Sequence, residues 1–303
     1  MDRAMTRDSR IVTVPVPGGD LAVGVWDAEG EDAPTILAIH GVTSSHLAWE
    51  FLAEALPGVR VIAPDLRGRG RSNGVTGPTG LAVHADDVAA VSAAFGLGPV
   101  VVVAHSMGAF VAVAFAARHP ELVSRLVLVD GGLPLDAPTG LAPEDLVSAI
   151  LGVTASRLHL RFPSTEAYLD FWRDHPAFAE DWSPELERYL AYDLVPAGEE
   201  GLRPATSFET TVEDTIDMNT ATTVADALAD LDRPAVLITV PRGLQDEEPG
   251  LYAEPHLERM LAPYPAIVHE RWPGLNHYTV VLSAAGAGRV ADVVTGQLAL
   301  AQG

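Results

Sequence analysis

The strongest chemical signal in this chain is a serine at the junction between two apolar runs, one typical of a strand and one typical of a helix. Residues 99–103 read PVVVV, as a strand buried on both faces does, and residues 109–117 are apolar over the length of a buried helix. Ser106 lies between them, and the small residues Ala104 and Gly108 leave room for a sharp turn. A serine displayed on such a turn can act as a nucleophile when a base takes its proton.

Two residue types that support other chemistry are missing. The chain has no cysteine, which excludes disulfides, thiolate nucleophiles, iron–sulfur clusters and cysteine zinc sites. All 19 basic residues are arginine, so Schiff-base chemistry, a phosphate-loop lysine and a Ser–Lys dyad are excluded as well. We therefore expect no cofactor and no metal.

The charge balance narrows the choice of partners. Over 303 residues the formal net charge is −22, which repels a phosphate backbone and disfavours strongly anionic substrates. Residues 1–10 are polar, and no run approaches the roughly 18 apolar residues that a spanning helix needs. The composition predicts a cytoplasmic protein that contacts neither nucleic acid nor membrane, and it leaves the oligomeric state open.

The elements that must position Ser106 alternate regularly along the chain. Eight runs have the composition of strands: 11–16, 21–26, 35–40, 60–63, 99–103, 125–129, 235–240 and 266–271. The first two form a hairpin, and helical patterns separate most of the others. This alternation predicts a mostly parallel eight-stranded sheet with helices on both faces.

The alternation is interrupted between residues 134 and 230, which divides the chain into a core of 1–133 and 231–303 and an inserted helical lid of 134–230. Nine of the 19 aromatic side chains lie in this interruption. A helical insertion between sheet strands packs at the carboxyl edge of the sheet, where such folds bind ligands. We expect Trp172 and Trp182 to line an apolar substrate pocket there.

Three motifs resemble those of the α/β-hydrolase fold family. Residues 104–108 (AHSMG) are similar to the G-x-S-x-G nucleophile elbow, with alanine in the first position. Residues 40–43 (HGVT) are similar to the loop after the third strand, and residues 65–72 (DLRGRGRS) to the turn after the fourth, which braces that loop. The resemblance covers nearly the whole chain except the lid and implies the α/β-hydrolase fold.

The resemblance also implies a catalytic apparatus. Members of the family carry serine, acid and histidine in that order along the chain, and His277 follows the last strand, where the histidine belongs. The backbone N–H groups of Val42 and Met107 would form the oxyanion hole around Ser106. Of the other histidines, His40 is expected to shape the oxyanion loop and His105 only to pack.

Two aspartates are candidates for the acid that pairs with His277. Asp130 ends the strand after the elbow strand, and some family members, zearalenone lactonases among them, are similar in placing their acid there. Asp246 fits the more usual G-x-x-D turn, but extra residues separate it from its strand. Asp130 is favoured, with Asp246 as the alternative acid.

The resemblance implies a serine hydrolase that cleaves a carboxylester or lactone of an apolar, bulky small molecule through an acyl-enzyme on Ser106. Hydrolysis of a carbon–carbon bond next to a ketone, by the same serine, acid and histidine, is an alternative. A non-catalytic small-molecule receptor of the same fold is a second alternative, which turnover would distinguish from binding.

Overall fold

Strand pairing organises the molecule around one large sheet. The structure is a computed structural model that describes residues 7, 9–30, 32–138, 140–220 and 222–302. Part of the polar amino terminus noted above, residues 1–6 and 8, lies outside these residues. None of the helices in the described ranges has both the length and the apolar character needed to cross a membrane.

Ten strands form within the described residues, eight of them in the main sheet. They are β1 (Arg10–Val16), β2 (Gly19–Trp26), β3 (Thr35–Ile39), β4 (Arg60–Pro64), β5 (Val100–His105), β6 (Val123–Val129), β7 (Leu194–Pro196), β8 (Leu202–Pro204), β9 (Ala235–Thr239) and β10 (Ile267–Arg271). The main sheet has the order β1-β2-β4-β3-β5-β6-β9-β10 and is parallel from β4 to β10, while β1 and β2 pair in antiparallel fashion. The predicted eight-stranded, mostly parallel sheet is confirmed.

The helices of the described ranges form two layers around the sheet and a third group above it. They are α1 (Glu50–Ala55), α2 (Leu81–Ala94), α3 (Met107–Arg118), α4 (Pro143–Leu151), α5 (Val153–Ser156), α6 (Thr165–Arg173), α7 (Pro184–Tyr192), α8 (Phe208–Thr220), α9 (Thr223–Ala229), α10 (Glu254–Leu261), α11 (Thr279–Leu282) and α12 (Ala284–Ala301). The helices α2, α3 and α9 pack together, and α1 packs with α12 and α11. The buried side chains of residues 101–104 in β5, three valines and one alanine, form the centre of the core between these layers.

Helices α4 to α8 form one continuous group, called the insertion here (residues 143–220). Its helix starts follow local rules: the Ser164 and Ser183 hydroxyls accept the N–H groups of Ala167 and Leu186, which caps α6 and α7. The short β7–β8 hairpin within it was not predicted, because two three-residue strands show no clear alternation. Helix α9 lies within the predicted lid of 134–230, but it packs against α3 of the layer on the sheet.

A buried ion pair joins the insertion to the core. Asp214 of α8 contacts the Arg69 guanidinium at 2.6 Å, and both side chains are fully buried. The same carboxylate accepts hydrogen bonds from the Thr79 hydroxyl and the Gly80 N–H, each at 2.8 Å, and lies 3.0 Å from His84 Nε2. Because a buried charge needs full pairing, these contacts fix α8 against the loop before α2.

We expect the Asp214→Asn substitution to lower the free energy of unfolding by about 3–5 kcal/mol, because it leaves the Arg69 charge buried without its partner. Urea unfolding of the two proteins measures this difference. The matched control is Asp86→Asn, which breaks the exposed pair with Arg118 and should cost about 0–1 kcal/mol. Equal costs for the two substitutions would contradict the anchoring role of Asp214.

Candidate active site

The backbone at Ser106 makes the sharp turn between β5 and α3. Its φ of 54° and ψ of −127° lie in a region that side-chain-bearing residues rarely adopt, at a cost of about 1–3 kcal/mol. The turn is held on both sides, since the Ser106 N–H donates to the Val129 carbonyl and its own carbonyl accepts from Ala109. The strained turn displays the Ser106 hydroxyl at the carboxyl edge of the sheet.

Two glycines allow neighbouring backbones to approach this turn closely. A Cβ atom at Gly108 would lie 2.2 Å from the Ile39 carbonyl oxygen, and one at Gly131 would lie 2.3 Å from the Ser106 carbonyl oxygen. Both contacts are with backbone that cannot move aside, so any larger residue would displace the turn. The small residue predicted after the serine is needed for the packing of α3 against β3.

The structure brings Ser106, His277 and Asp130 into one hydrogen-bonded chain. The Ser106 Oγ lies 3.1 Å from His277 Nε2, and His277 Nδ1 lies 2.7 Å from Asp130 Oδ2. In the tautomer that fits these contacts, the Ser106 hydroxyl donates to Nε2 and the Nδ1–H donates to the carboxylate. Asp130 is fully buried at the end of β6 and also has a positive φ, of 44°. A carboxylate here orients the ring and stabilises a positive charge on it.

The alternative acid, Asp246, contacts Asn276, the residue that precedes His277 in the sequence. Its Oδ1 accepts a hydrogen bond from the Asn276 side-chain amide at 2.8 Å, and its Oδ2 pairs with Arg242 at 2.7 Å. The Asn276 side-chain oxygen in turn accepts the N–H groups of Tyr278 and Thr279. Asp246 therefore supports the loop that carries His277 and makes no hydrogen bond to the imidazole.

His105 has a role that the sequence analysis missed. It was expected only to pack, but its Nε2 lies 2.8 Å from the His277 carbonyl oxygen, and its ring lies 4.6 Å from the His277 ring. Burial and the neighbouring His277 lower the pKa of His105 well below its usual range, so it stays neutral and donates its Nε2–H. Its position next to Ser106 in the sequence is the one signal that could have suggested a link to the site.

Buried polar contacts hold the loop at residues 40–43, which was predicted to form the oxyanion hole. His40 Nδ1 donates to the Gly41 carbonyl at 2.7 Å, and its Nε2 accepts the Leu66 N–H at 3.0 Å. The buried Arg69 Nε donates to the Val42 carbonyl at 2.8 Å. Among the described residues, neither the Val42 nor the Met107 N–H donates to a protein acceptor. Both residues border the cavity at Ser106.

Ser106 and His277 border a cavity with mostly apolar walls. The insertion contributes Ile150, Tyr189 and Met218, while the core contributes residues such as Phe110. The two predicted pocket residues lie elsewhere. Trp172 borders a second, adjoining cavity.

Trp182 borders neither of these two cavities, so its prediction as a pocket residue is corrected. Its indole N–H donates to Glu187 and the Arg173 guanidinium covers its ring, which leaves it half-buried at the outer surface of the insertion. Trp182 lies in the loop before α7, and its residue type alone could not show which way the side chain faces.

No group of three or more His, Asp or Glu side chains within the described ranges is arranged to hold a metal ion.

Curated relatives match half of the chain or less. Lipase LipV of Mycobacterium tuberculosis is 41% identical over 116 residues, which cover 38% of this chain and 43% of the lipase. The bifunctional esterase/perhydrolase DCH of Acinetobacter calcoaceticus is 38% identical over 121 residues, 38% of this chain and 43% of that protein. N-formylmaleamate deformylase of Pseudomonas putida is 31% identical over 159 residues, 50% of this chain and 58% of the deformylase. The chain thus spans about half the length of the curated relatives it matches, or less.

Solved structures match over nearly the full length. The E-2-(acetamidomethylene)succinate hydrolase covers 95% of this chain and 99% of its own, with a TM-score of 0.76 and 21% identity. At this identity the likeness concerns the fold. Residues 34–179 also match a family model described as the alpha/beta hydrolase fold. Both findings agree with the resemblance drawn from the motifs.

We expect the protein to lose stability as the pH falls from about 6.5, because His40 is held neutral behind the oxyanion loop. Burial lowers the pKa of His40 from 6.5 to about 4, so the unfolded chain takes up a proton in this range that the folded chain does not. This contribution is complete above the unfolded value and is lost as the pH falls towards about 4.

Urea unfolding at a series of pH values measures this loss. In the His40→Gln variant, whose amide oxygen can still accept the Leu66 N–H, the decline between pH 6.5 and 4 should be shallower by up to about 3 kcal/mol. Measurements at pH 8 provide the reference, since His40 is neutral there in both states. Parallel curves for the two proteins would show that His40 does not contribute.

Proposed function

We propose, on the premise that this chain is an α/β hydrolase by fold, that it is a serine hydrolase that cleaves the carboxylester or lactone bond of an apolar small molecule. The observation that carries this proposal is the hydrogen-bonded chain from the Ser106 hydroxyl through His277 to Asp130, open to an apolar cavity. The names of relatives, which include a lipase and an esterase, support the same class of reaction.

In the first step, Ser106 Oγ attacks the substrate carbonyl carbon while His277 Nε2 takes the hydroxyl proton. The carbonyl oxygen becomes an oxyanion, and the N–H groups of Val42 and Met107 donate to it; the loss of one such donor typically costs about 3–4 kcal/mol of transition-state stabilisation. The imidazolium formed on His277 is stabilised by the Asp130 carboxylate. The oxyanion then collapses, the bond to the leaving oxygen breaks, and His277 gives its proton to the departing alcohol.

In the second step, water replaces the alcohol. His277 takes a proton from the water, the resulting hydroxide attacks the acyl carbon, and the bond to Ser106 Oγ breaks as His277 returns the proton to it. The products are a carboxylic acid and a regenerated serine. A lactone gives one product with both groups, because its alcohol and acid parts are joined.

The cavity favours an apolar substrate. Side chains such as Phe110, Ile150, Met218 and Leu251 form its walls, and each Å² of apolar surface that they remove from water contributes about 25 cal/mol. The insertion supplies part of this surface, so we propose it as the lid of the site. Its helix α7 is held on the core by Tyr189, which donates to the Ser44 hydroxyl at 3.0 Å, and by Tyr192, which donates to Asp65 at 2.8 Å.

Ester cleavage is preferred to amide cleavage in this proposal, although one relative is named a deformylase and others are named putative carbamate hydrolases. A small, neutral substrate fits the net charge of −22. The cytoplasm remains the expected location, and no nucleic-acid or membrane partner is part of the proposal.

We expect Ser106→Ala to abolish hydrolysis, because no other described nucleophile contacts His277. A fluorophosphonate probe should label the wild-type protein at Ser106 alone, and mass spectrometry of the labelled peptide checks the position. The panel should contain short esters, long esters, macrocyclic lactones and matched amides. Undiminished hydrolysis by the alanine variant would reject the mechanism, and binding of these compounds without turnover by the wild type would support a receptor instead.

We expect Asp130→Asn to lower kcat by about 10⁴, since the amide cannot stabilise the imidazolium and can hold the wrong tautomer. Asp246→Asn is the matched control: it removes a carboxylate near the same loop that makes no contact with the ring. Its effect on kcat should stay within about tenfold, and circular dichroism should show both variants folded. A crippled Asp246→Asn protein beside an active Asp130→Asn protein would reverse the assignment.

A further inference from the structure

The loop that carries His277 lies between the core and the insertion. The core holds the backbone at His277 itself: its N–H donates to the Arg242 carbonyl at 3.0 Å, and its carbonyl accepts the Nε2–H of His105. The residues on either side are held differently, because both Asn276 and Tyr278 contact the insertion. The loop of His277 is thus attached to both parts of the fold.

Asn276 fixes the backbone on one side of His277. Its Nδ2 donates to the Ala177 carbonyl of the insertion at 2.9 Å and to Asp246 at 2.8 Å. Its Oδ1 accepts two backbone N–H groups of the turn that follows His277. All four hydrogen bonds that a side-chain amide can form are made, so rotation of the imidazole is the main freedom left at this position.

Tyr278 links the insertion to the imidazole ring itself. The Tyr278 and Thr154 hydroxyls are hydrogen-bonded at 3.0 Å, and both side chains are buried. The Tyr278 ring lies 5.2 Å from the Phe178 ring of the insertion and 5.7 Å from the His277 ring, which it meets edge to face. Two more rings of the insertion contact it as well. Thr154 of α5 therefore reaches the His277 ring through one intervening side chain.

The position of the His277 ring matters for the rate because of the distance to Ser106. A general base must lie within about 2.6–3.2 Å of the atom whose proton it takes. His277 Nε2 lies 3.1 Å from Ser106 Oγ, at the long end of that range. A displacement of about 1 Å can lower a rate about 10²-fold. A loosened Tyr278 would permit such a displacement without any change in the apolar walls that bind the substrate.

We propose that Thr154 is a positioning residue for His277, and that through it the insertion helps to assemble the catalytic base. Its hydroxyl holds Tyr278, and the Tyr278 ring holds the imidazole at the angle that serves Ser106. The insertion then contributes to the chemical step as well as to the cavity wall. The inference rests on the proposed function, because it takes His277 as the base that activates Ser106.

Thr154→Val tests this inference from outside the cavities. The substitution removes the hydrogen bond to Tyr278 with little change in shape, and Thr154 borders neither of the two cavities at the site. We expect kcat for p-nitrophenyl butanoate to fall about tenfold while KM stays within about twofold, since the substitution affects the transition state and not the walls.

The matched control is Thr215→Val in α8. It removes the hydroxyl of another buried threonine of the insertion, one that donates to the Thr211 carbonyl of the same helix. Thr215 also borders neither cavity, so kcat should equal that of the wild type. Thermal unfolding checks that both variants are folded. An equal fall in kcat for the two variants would overturn the inference, because it would show a general effect of a lost hydroxyl.

Tyr278→Phe removes the other partner of the same hydrogen bond and keeps the ring. If Thr154 acts through Tyr278, the double variant should have the kcat of the less active single variant, since the second substitution breaks a contact that is already lost. Losses in kcat that multiply in the double variant would overturn the link between the two hydroxyls.

Proton NMR separates this inference from the proposed function. The Nδ1–H proton between His277 and Asp130 gives a downfield resonance that reports on the geometry of this hydrogen bond without any turnover, and Asp130→Asn identifies it by its loss. Thr154→Val should shift this resonance and Thr215→Val should not. An unshifted resonance together with a wild-type kcat in Thr154→Val would overturn the inference and leave the hydrolase standing. If the wild type hydrolyses no ester, the proposed function fails, and the resonance alone decides whether Thr154 positions His277.

Discussion

The left-handed backbone at Ser106 is the constraint on which the rest of the site depends. A residue with φ of 54° is unfavourable by itself, so the surrounding structure must hold it there. β5 is hydrogen-bonded on both sides by β3 and β6, α3 packs on the sheet, and two glycines allow backbone contacts that no side chain would permit. The serine hydroxyl consequently projects at one defined place, and the histidine, the acid and the free amides are arranged around it.

Buried polar contacts also hold in place the loops and helices that surround the turn at Ser106. Arg69 is the clearest case, because it donates to the Val42 carbonyl of the oxyanion loop and also pairs with Asp214 of the insertion. A charge in the interior is tolerated only with full pairing, so the insertion and the oxyanion loop are tied to one guanidinium. The arginine-rich turn that resembles a family motif is therefore a joint between the core and the insertion.

Patterns local in the chain determined most of the fold and part of the site. Neighbouring residues in the sequence were enough to predict the strands of the main sheet. They also predicted the strand–turn–helix context of Ser106 and the position of His277 in a loop. These features could be predicted because the apolar patterns and turn residues that produce them span only a few residues.

Contacts across the fold decided the rest. Asp130 and Asp246 both follow strands at the same sheet edge, and only packing places one carboxylate against His277 and the other against Asn276. Likewise, Trp172 and Trp182 both suit an apolar pocket by type, but tertiary packing places Trp172 of α6 at a cavity and Trp182, in the loop before α7, against Arg173 and Glu187. The ion pair of Asp214 with Arg69 joins residues 145 positions apart, and no local pattern signals an encounter that tertiary structure alone creates.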